Sequence, residues 1–207
     1  MSFSPSLDDI QAAKAALRAK LRARRAEASA ANGAAIAAVA AERFLAGIPR
    51  QSGLNIAGYW PLPNELDPLP LLERLRAEWQ ARILLPAVLE GALPLSFRLW
   101  DGMAESLVPG RYGIPAPGPE AQSLRPDLVL VPLLGFDKAG GRLGLGAGYY
   151  DATLAALRAD DGALPLCVGY AFAVQQVPNV PRRPEDQDLD WVVTERGAIR
   201  CGAESGV

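Results

Sequence analysis

The stretch DLVLVPLLGFDKAGGRLGLGAGYYDATLAALRAD, residues 127–160, decides the fold. Its first ten residues are almost wholly apolar, as a central strand covered on both faces should be. Its last twelve are rich in Ala and Leu and read as a helix. Between them Gly144, Gly146 and Gly148 stand at every second position. A helix that follows a strand presents free N–H groups and the positive end of its dipole. Glycines let the backbone take unusual φ values and approach a ligand without Cβ atoms in the way. Two readings of the glycines follow. One is an anion cradle, most simply for phosphate. The other is a tight turn around Gly140 and Gly141, with small residues where helix and sheet pack closely. The spacing is G-x-G-x-G rather than the dinucleotide G-x-G-x-x-G, and no Lys-Ser/Thr follows, so the loop is not a P-loop.

Working outward, Leu7 to Gly47 reads as helix, with Ser6 or Asp8 available as a cap and Asn32-Gly33 as a break. NIAGYW is a buried strand that runs into PLPNELD, a Pro-punctuated loop. PLPLLERLRAEWQ is an amphipathic helix with Pro at its start. RILLPAV, LSFRLW, LPLCVGYAF and DLDWVVTE are further strands. VPGRYGIPAPGPEAQSLRP is Pro/Gly-rich and is expected to form an irregular surface loop. Helical and extended segments alternate, which predicts an α/β domain of three layers, a largely parallel central sheet flanked by helices. No internal repeat or domain boundary interrupts it. Residues 1–207 are expected to form one domain, with loose ends at 1–6 and 202–207.

The chain has 207 residues, 50% of them hydrophobic, and a formal net charge of -2. Mild acidity gives no general attraction to nucleic acid or anionic membranes, so any anion-binding surface must be local. No basic region followed by an apolar core marks the N-terminus, and no apolar run is long enough to cross a bilayer. Cys167, in an apolar run, and Cys201, near the tail, make no disulfide framework, which suits a reducing cytoplasm. Histidine is absent. That excludes Ser-His-Asp and Cys-His catalysis and histidine zinc sites. Acid/base and metal chemistry must use carboxylates, Lys, Arg, Tyr or the backbone. Phosphoryl transfer suits this set, because it depends on positioning and on charge neutralisation by Mg²⁺, which prefers oxygen ligands.

Arg142 and Asp151 flank the glycines and offer a phosphate-compatible cation and a possible Mg²⁺ ligand. Each also has a plain alternative, a solvated loop residue and a first-turn acid favoured by the helix dipole. Lys14, Arg18, Arg22 and Arg25 recur at helical spacing, with Leu17 and Leu21 on a different stripe. A solvated face is the default expectation there, and phosphate or nucleic-acid contact the alternative. No interleaved aromatics support base stacking. Glu65 sits in a loop beyond a strand, where α/β sheets place ligands, although surface carboxylates are common. Glu185, Asp186, Asp188 and Asp190 precede the last apolar strand, either as an acidic cap or as part of a Mg²⁺ site shared with Asp151.

These pieces occur in one order: K-x-x-L-R in the first helix, Y-x-P-x-x-x-E-x-D after the first strand, G-F-D-x-x-G-x-R-L-G-x-G-x-G-Y-Y-D, then an acidic pair before L-D-x-x-x-T-E. The pattern resembles the 5-formyltetrahydrofolate cyclo-ligase family over residues 14–195, most specifically in GFDKAGGRLGLGAGYYD. The resemblance implies ATP- and Mg²⁺-dependent conversion of 5-formyltetrahydrofolate to 5,10-methenyltetrahydrofolate with release of ADP and phosphate. The formyl oxygen attacks the γ-phosphoryl group, N10 closes the ring on the phosphorylated imidate, and phosphate leaves. By the same resemblance Lys14 and Arg18 contact the nucleotide and substrate. Arg142, Leu143, Gly144, Leu145, Gly146, Ala147, Gly148, Tyr149 and Tyr150 form the ATP-phosphate loop. Arg142 and Tyr150 are its candidate catalytic residues, and Tyr149 and Tyr150 also border the folate. Trp60 and Glu65 contact substrate, Glu65 by hydrogen bonds to the pterin, and Asp151 and Asp186 hold Mg²⁺. RYGIPAPG resembles the family's G-I-P-x-P loop. Members often have His-Asp where this chain has Glu185-Asp186, and many bacterial members have Glu at the position of Ala116. These departures bear on substrate fit and pH behaviour more than on the nucleotide site.

The expected ligands are therefore ATP, Mg²⁺ and 5-formyltetrahydrofolate, with neither nucleic acid nor membrane as partner and the chain a monomer. A dinucleotide oxidoreductase would need its glycine fingerprint after the first strand, where PLPNELDP stands instead. A folate- or nucleotide-binding relative without cyclo-ligase activity is the remaining alternative.

Overall fold

The computed structural model of the chain describes residues 6–88 and 93–202. The N-terminal helix α1 (Leu7–Gly47) begins at a capping box, in which Ser6 and Asp9 exchange side-chain and backbone hydrogen bonds. Asn32 leaves helical geometry (φ -168°, ψ 47°), so the expected break is a kink within one long helix. Beyond the kink, Ala37, Ala40, Ala41 and Phe44 pack on the sheet. Before it, Leu21 packs instead with Leu134, Leu143, Val177 and Val180. The first half of α1 thus lies along the region after residue 131. The loose ends expected at 1–6 and 202–207 fall mostly outside the described residues. Ser6 is held by its cap, and the Gly202 N–H donates to the Lys138 carbonyl.

The sheet has five parallel strands: β1 (Asn55–Ala57), β2 (Arg82–Ala87), β6 (Leu128–Val131), β9 (Leu166–Tyr170) and β10 (Trp191–Thr194). Antiparallel β3 (Ser96–Leu99) and β11 (Gly197–Arg200) close its edges, giving the order β11-β10-β9-β6-β1-β2-β3. All four residues of β6 are buried. Leu128 and Leu130 face α1 and α2 (Leu69–Trp79), while Val129 and Val131 share a cluster with Leu154 of α3 (Tyr149–Ala159). A strand covered on both faces loses the polar alternation, which is why this segment is apolar throughout. The three-layer, largely parallel α/β architecture agrees with the expectation.

Three details differ. DLVLVPLLGF is two strands rather than one: Pro132 follows β6, and Gly135-Phe136 (β7) pairs antiparallel with Arg142-Leu143 (β8) in a separate ribbon. Proline has no N–H to continue a ladder. Arg142 and Leu143 therefore belong to a strand, and the glycine loop starts at Gly144. The Pro/Gly-rich segment is irregular only in its second half, after residue 117. It holds a ribbon of β4 (Leu107–Pro109) and β5 (Pro115–Pro117), with Tyr112 at its tip in the left-handed region (φ 59°). Its prolines confine it to a short ladder outside the main sheet. Finally, β11 follows β10 through a tight turn at Glu195-Arg196, which carries none of the Asn-Gly or Asp-Gly chemistry that announces a hairpin.

The topology locates the site. From β1 the chain passes to β2 on one side, whereas β6, β9 and β10 succeed one another on the other side. Ligands of open α/β sheets bind beyond the carboxyl ends of strands where the order reverses. Here that point lies between β1 and β6.

Candidate active site

A cavity of about 720 Å³ opens at this switch point. Tyr59, Trp60 and Glu65 enter it from the end of β1, Pro86 and Val88 from β2, and Pro132 and Leu133 from β6. Lys14 and Arg18 reach it from α1, residues 142–151 from β8 through the glycine loop into α3, and Asp186 from the acidic loop. Every site residue expected from the sequence lines this one cavity. It has a cationic end at the glycine loop and a more apolar end around Trp60, Val88 and Leu95.

The glycines divide into two roles. Gly146 (φ 113°) and Gly148 (φ 76°) occupy backbone conformations that other residues avoid, and Gly148 forms the entry to α3. Gly144 has no such requirement, and a Cβ built there meets no atom within 4 Å. Its lack of a side chain leaves space in the cavity rather than relieving a turn. Among the described residues, no backbone N–H of residues 144–151 donates to a backbone carbonyl, Ala152 being the first to do so, to Gly148. The separate tight turn at Gly140 and Gly141 is real, and Asp137 Oδ1 accepts the Gly141 N–H at 2.9 Å. The tight-turn reading thus holds at Gly140 and Gly141, while the loop from Gly144 to Gly148 is a separate feature with unengaged backbone N–H groups.

The cations are built in rather than solvated. Lys14, Arg25 and Arg142 are buried, whereas Arg22 is exposed. The inward face of α1 is thus Lys14, Arg18, Leu21 and Arg25, at helical spacing. Cations share it with a leucine, which corrects the expectation of a solvated basic stripe separate from an apolar one. Arg18 Nε donates to the Gly144 carbonyl at 2.9 Å and anchors the loop. Burial, with Arg22 and Arg183 nearby, pulls the Arg18 guanidinium below its ordinary value. Arg142 Nη2 donates to Asp151 Oδ1 at 2.6 Å, while its buried Nη1 has no partner in the protein. An unpaired buried donor on a charged group is costly, and an anionic ligand would satisfy it.

The acidic loop docks on both helices. Lys14 Nζ bonds Asp186 Oδ2, which also accepts the Arg183 N–H at 2.7 Å. The Gln187 N–H donates to Asp151 Oδ1 at 3.0 Å. Asp151 and Asp186 therefore lie on one wall. Asp188 instead bonds the half-exposed Arg182, and Asp190 accepts the Cys167 N–H at 2.7 Å, a bond that fixes the start of β10. Among the described residues no group of three potential metal ligands gathers.

At the other end, Pro63 and left-handed Asn64 (φ 66°) make the turn that presents Glu65, whose N–H donates to the Leu62 carbonyl. The Glu65 side chain is only 6% exposed, so it is not a surface acid. Burial pushes its carboxyl up, opposed by the Leu62 N–H at 2.9 Å and by Arg25. Burial likewise drives the Tyr150 hydroxyl well above the usual tyrosine range. Tyr112, at the tip of the β4–β5 ribbon, reaches Tyr149 across the opening, hydroxyl to hydroxyl at 3.4 Å. Composition marks this segment as a surface loop, and only the family pattern ties it to the site. Sequence reasoning missed Arg183 and Tyr59, the latter hidden beside Trp60 in NIAGYW.

Fold and cavity together define an α/β enzyme that places a glycine loop flanked by Lys14, Arg18 and Arg142 opposite an apolar pocket. The profile of the 5-formyltetrahydrofolate cyclo-ligase family matches residues 10–195, and the chain belongs to that family. The 5-formyltetrahydrofolate cyclo-ligase of Escherichia coli (strain K12) is 34% identical over 162 residues, 75% of this chain and 85% of that protein. The protein of the same name from Mycolicibacterium smegmatis is 31% identical over 154 residues, 72% and 77% of the two chains. The solution structure of Aquifex aeolicus 5,10-methenyltetrahydrofolate synthetase superposes with a TM-score of 0.74 at 27% identity, covering 94% of this chain and 95% of that one. No described helix is long and apolar enough to cross a membrane.

Proposed function

We propose that ATP and 5-formyltetrahydrofolate meet in this cavity, the phosphates at the glycine loop and the pterin against Glu65. The enzyme is a cyclo-ligase that closes 5-formyltetrahydrofolate to 5,10-methenyltetrahydrofolate. The observation that carries the assignment of sites is the single cavity with a cationic glycine loop at one end and a buried carboxylate at the other. Its volume falls within the range of about 300–1,000 Å³ usual for small-molecule sites.

The reaction needs positioning rather than a protein nucleophile. The formyl oxygen attacks the γ-phosphorus, and the bond to the ADP oxygen breaks. N10 then adds to the activated formyl carbon, phosphate leaves with the former formyl oxygen, and the N10 proton is lost. Lys14, Arg18, Arg142 and the N–H groups of the loop hold the phosphates, and Arg142 opposes the charge that develops on transfer. Tyr150 stays neutral at working pH and serves as a hydrogen-bond donor between the two substrates. Asp151 and Asp186 suit Mg²⁺, which binds through phosphate oxygens and water with one or two protein carboxylates. When bound, Mg²⁺ neutralises charge on the transferring phosphate. Trp60 and Tyr149 border the folate. The enzyme works as a monomer in the cytoplasm.

Protein, Mg-ATP and 5-formyltetrahydrofolate are mixed while methenyl absorbance and ADP are followed together. Equal amounts of both products are expected. Tight binding of both substrates without turnover would favour the binding relative instead. Within the same assay Glu65→Gln should raise the folate KM while leaving the ATP KM in place. A buried polar group left without its partner costs about 1–3 kcal/mol, or roughly one to two decades. An unchanged folate KM would remove Glu65 from the substrate site.

A further inference from the structure

Arg25 is not part of the cavity wall, yet its side chain is 8% exposed and its Nη1 lies 3.4 Å from Glu65 Oε1. Its Nε is buried without a partner. A buried guanidinium held by one long bond is a poor stabilising device, since apolar residues of similar volume often serve stability as well or better. We propose that Arg25 is a positioning residue for the folate: it keeps the Glu65 carboxylate ionised and fixed where the substrate meets it. The inference rests on Glu65 being the pterin contact.

The surroundings make this role specific. The titratable neighbours of Glu65 are Arg25 from α1, Tyr59 at the end of β1 and Tyr150 from α3, with Asp67 beyond Tyr59. Burial raises both tyrosines, so neither supplies charge in the working range. Arg25 is thus the cation that faces Glu65; with the Leu62 N–H it favours the ionised acid, against burial, which favours the protonated one. Glu65 Oε2 is occupied by the Leu62 N–H, and Oε1 is the oxygen Arg25 holds. The pyrimidine edge of a pterin presents adjacent N–H donors, and only the ionised carboxylate accepts from both. A neutral Glu65 would carry a proton of its own toward that edge.

The sign of the pH effect follows. Acidification protonates Glu65 and weakens folate binding. Removing Arg25 raises the Glu65 pKa further, so the loss must begin at higher pH. An opposite charge within about 4–6 Å typically moves a carboxyl by one unit or more.

The test measures folate and ATP KM against pH for the wild type, Arg25→Met and Arg25→Lys, and repeats Arg25→Met in a Glu65→Gln background. The expected result is a rise in folate KM that sets in about one pH unit higher in Arg25→Met. Arg25→Lys should restore the wild-type profile, and ATP KM should be unmoved. In the Glu65→Gln background Arg25→Met should shift nothing, because the titrating group is gone. If Arg25→Met fails to fold, Arg25→Gln, which keeps a polar group in the buried site, makes the same comparison. A uniform loss at all pH values, or an equal shift without Glu65, overturns the proposal. If Glu65→Gln alone leaves folate KM unchanged, the pterin assignment fails. If Glu65→Gln matters and the Arg25 variants keep the wild-type profile, the role of Arg25 fails by itself.

Discussion

Gly144→Val should lower ATP affinity by about two decades or more while the protein stays folded. The backbone at Gly144 is compatible with any residue, and a Cβ there touches nothing within 4 Å. The valine therefore adds no backbone strain and extends into open space at the cavity's glycine loop, where the phosphates are proposed to bind. Hydrogen bonds to charged groups are worth about 1.5–3 kcal/mol each, so excluding phosphate from two of them accounts for the expected loss. Gly146→Val is less informative, because φ 113° would strain any branched residue and the Arg18 guanidinium lies 3.5 Å away. Gly144→Ala should fall between wild type and valine. Calorimetric titration with Mg-ATP, paired with a thermal melt, checks both halves. Wild-type ATP affinity in a folded Gly144→Val protein would mean that phosphate does not enter the loop.

Much of this site is legible because its residues are close in sequence. Arg142, the three glycines, the tyrosines and Asp151 fall within ten positions, and strand-loop-helix order alone puts them at one sheet end. The central strands are legible for a similar reason, since burial on both faces leaves continuous apolar runs. What depends on tertiary contact is not. The basic residues of α1 read as a solvated stripe, because periodicity shows which residues share a face and not what that face meets. The kink at Asn32 turns the first half of α1 toward the β7–β8 ribbon, which makes Lys14, Arg18 and Arg25 inward-facing. The pairing of Arg25 with Glu65 spans 40 positions and has no local signal. The β4–β5 ribbon was hidden by its own prolines, which signal loops far more often than paired strands.

The metal assignment separates neighbours within one acidic loop. Asp151→Asn and Asp186→Asn should each reduce Mg-ATP-dependent turnover by about a hundredfold or more, partly recovered at high Mg²⁺. Loss of a carboxylate that holds Mg²⁺ on the transferring phosphate removes several kcal/mol of charge stabilisation. Asparagine is the informative replacement, because it retains an acceptor for the Gln187 and Arg183 N–H groups that dock the loop. In the structure Asp151 is bonded by Arg142 and Asp186 by Lys14, so each acid proposed to hold Mg²⁺ is paired with a cation proposed to hold phosphate. On that proposal bound Mg-ATP would supply a cation for the acids and phosphates for Lys14 and Arg142. Either asparagine should therefore weaken Mg-ATP binding while sparing, or even improving, binding of ATP in EDTA, where the freed cation meets the phosphates alone. Asp188→Asn should stay close to wild type, since Asp188 bonds Arg182 and lies outside the cavity wall. Asp190 is unsuited to the comparison, because its bond to the Cys167 N–H ties β9 to the start of β10. Turnover across a Mg²⁺ series, with ATP binding measured in EDTA, distinguishes the cases. An Asp186→Asn enzyme active at low Mg²⁺ beside an inactive Asp188→Asn enzyme would move the metal to the other acid and leave the phosphate loop as it is.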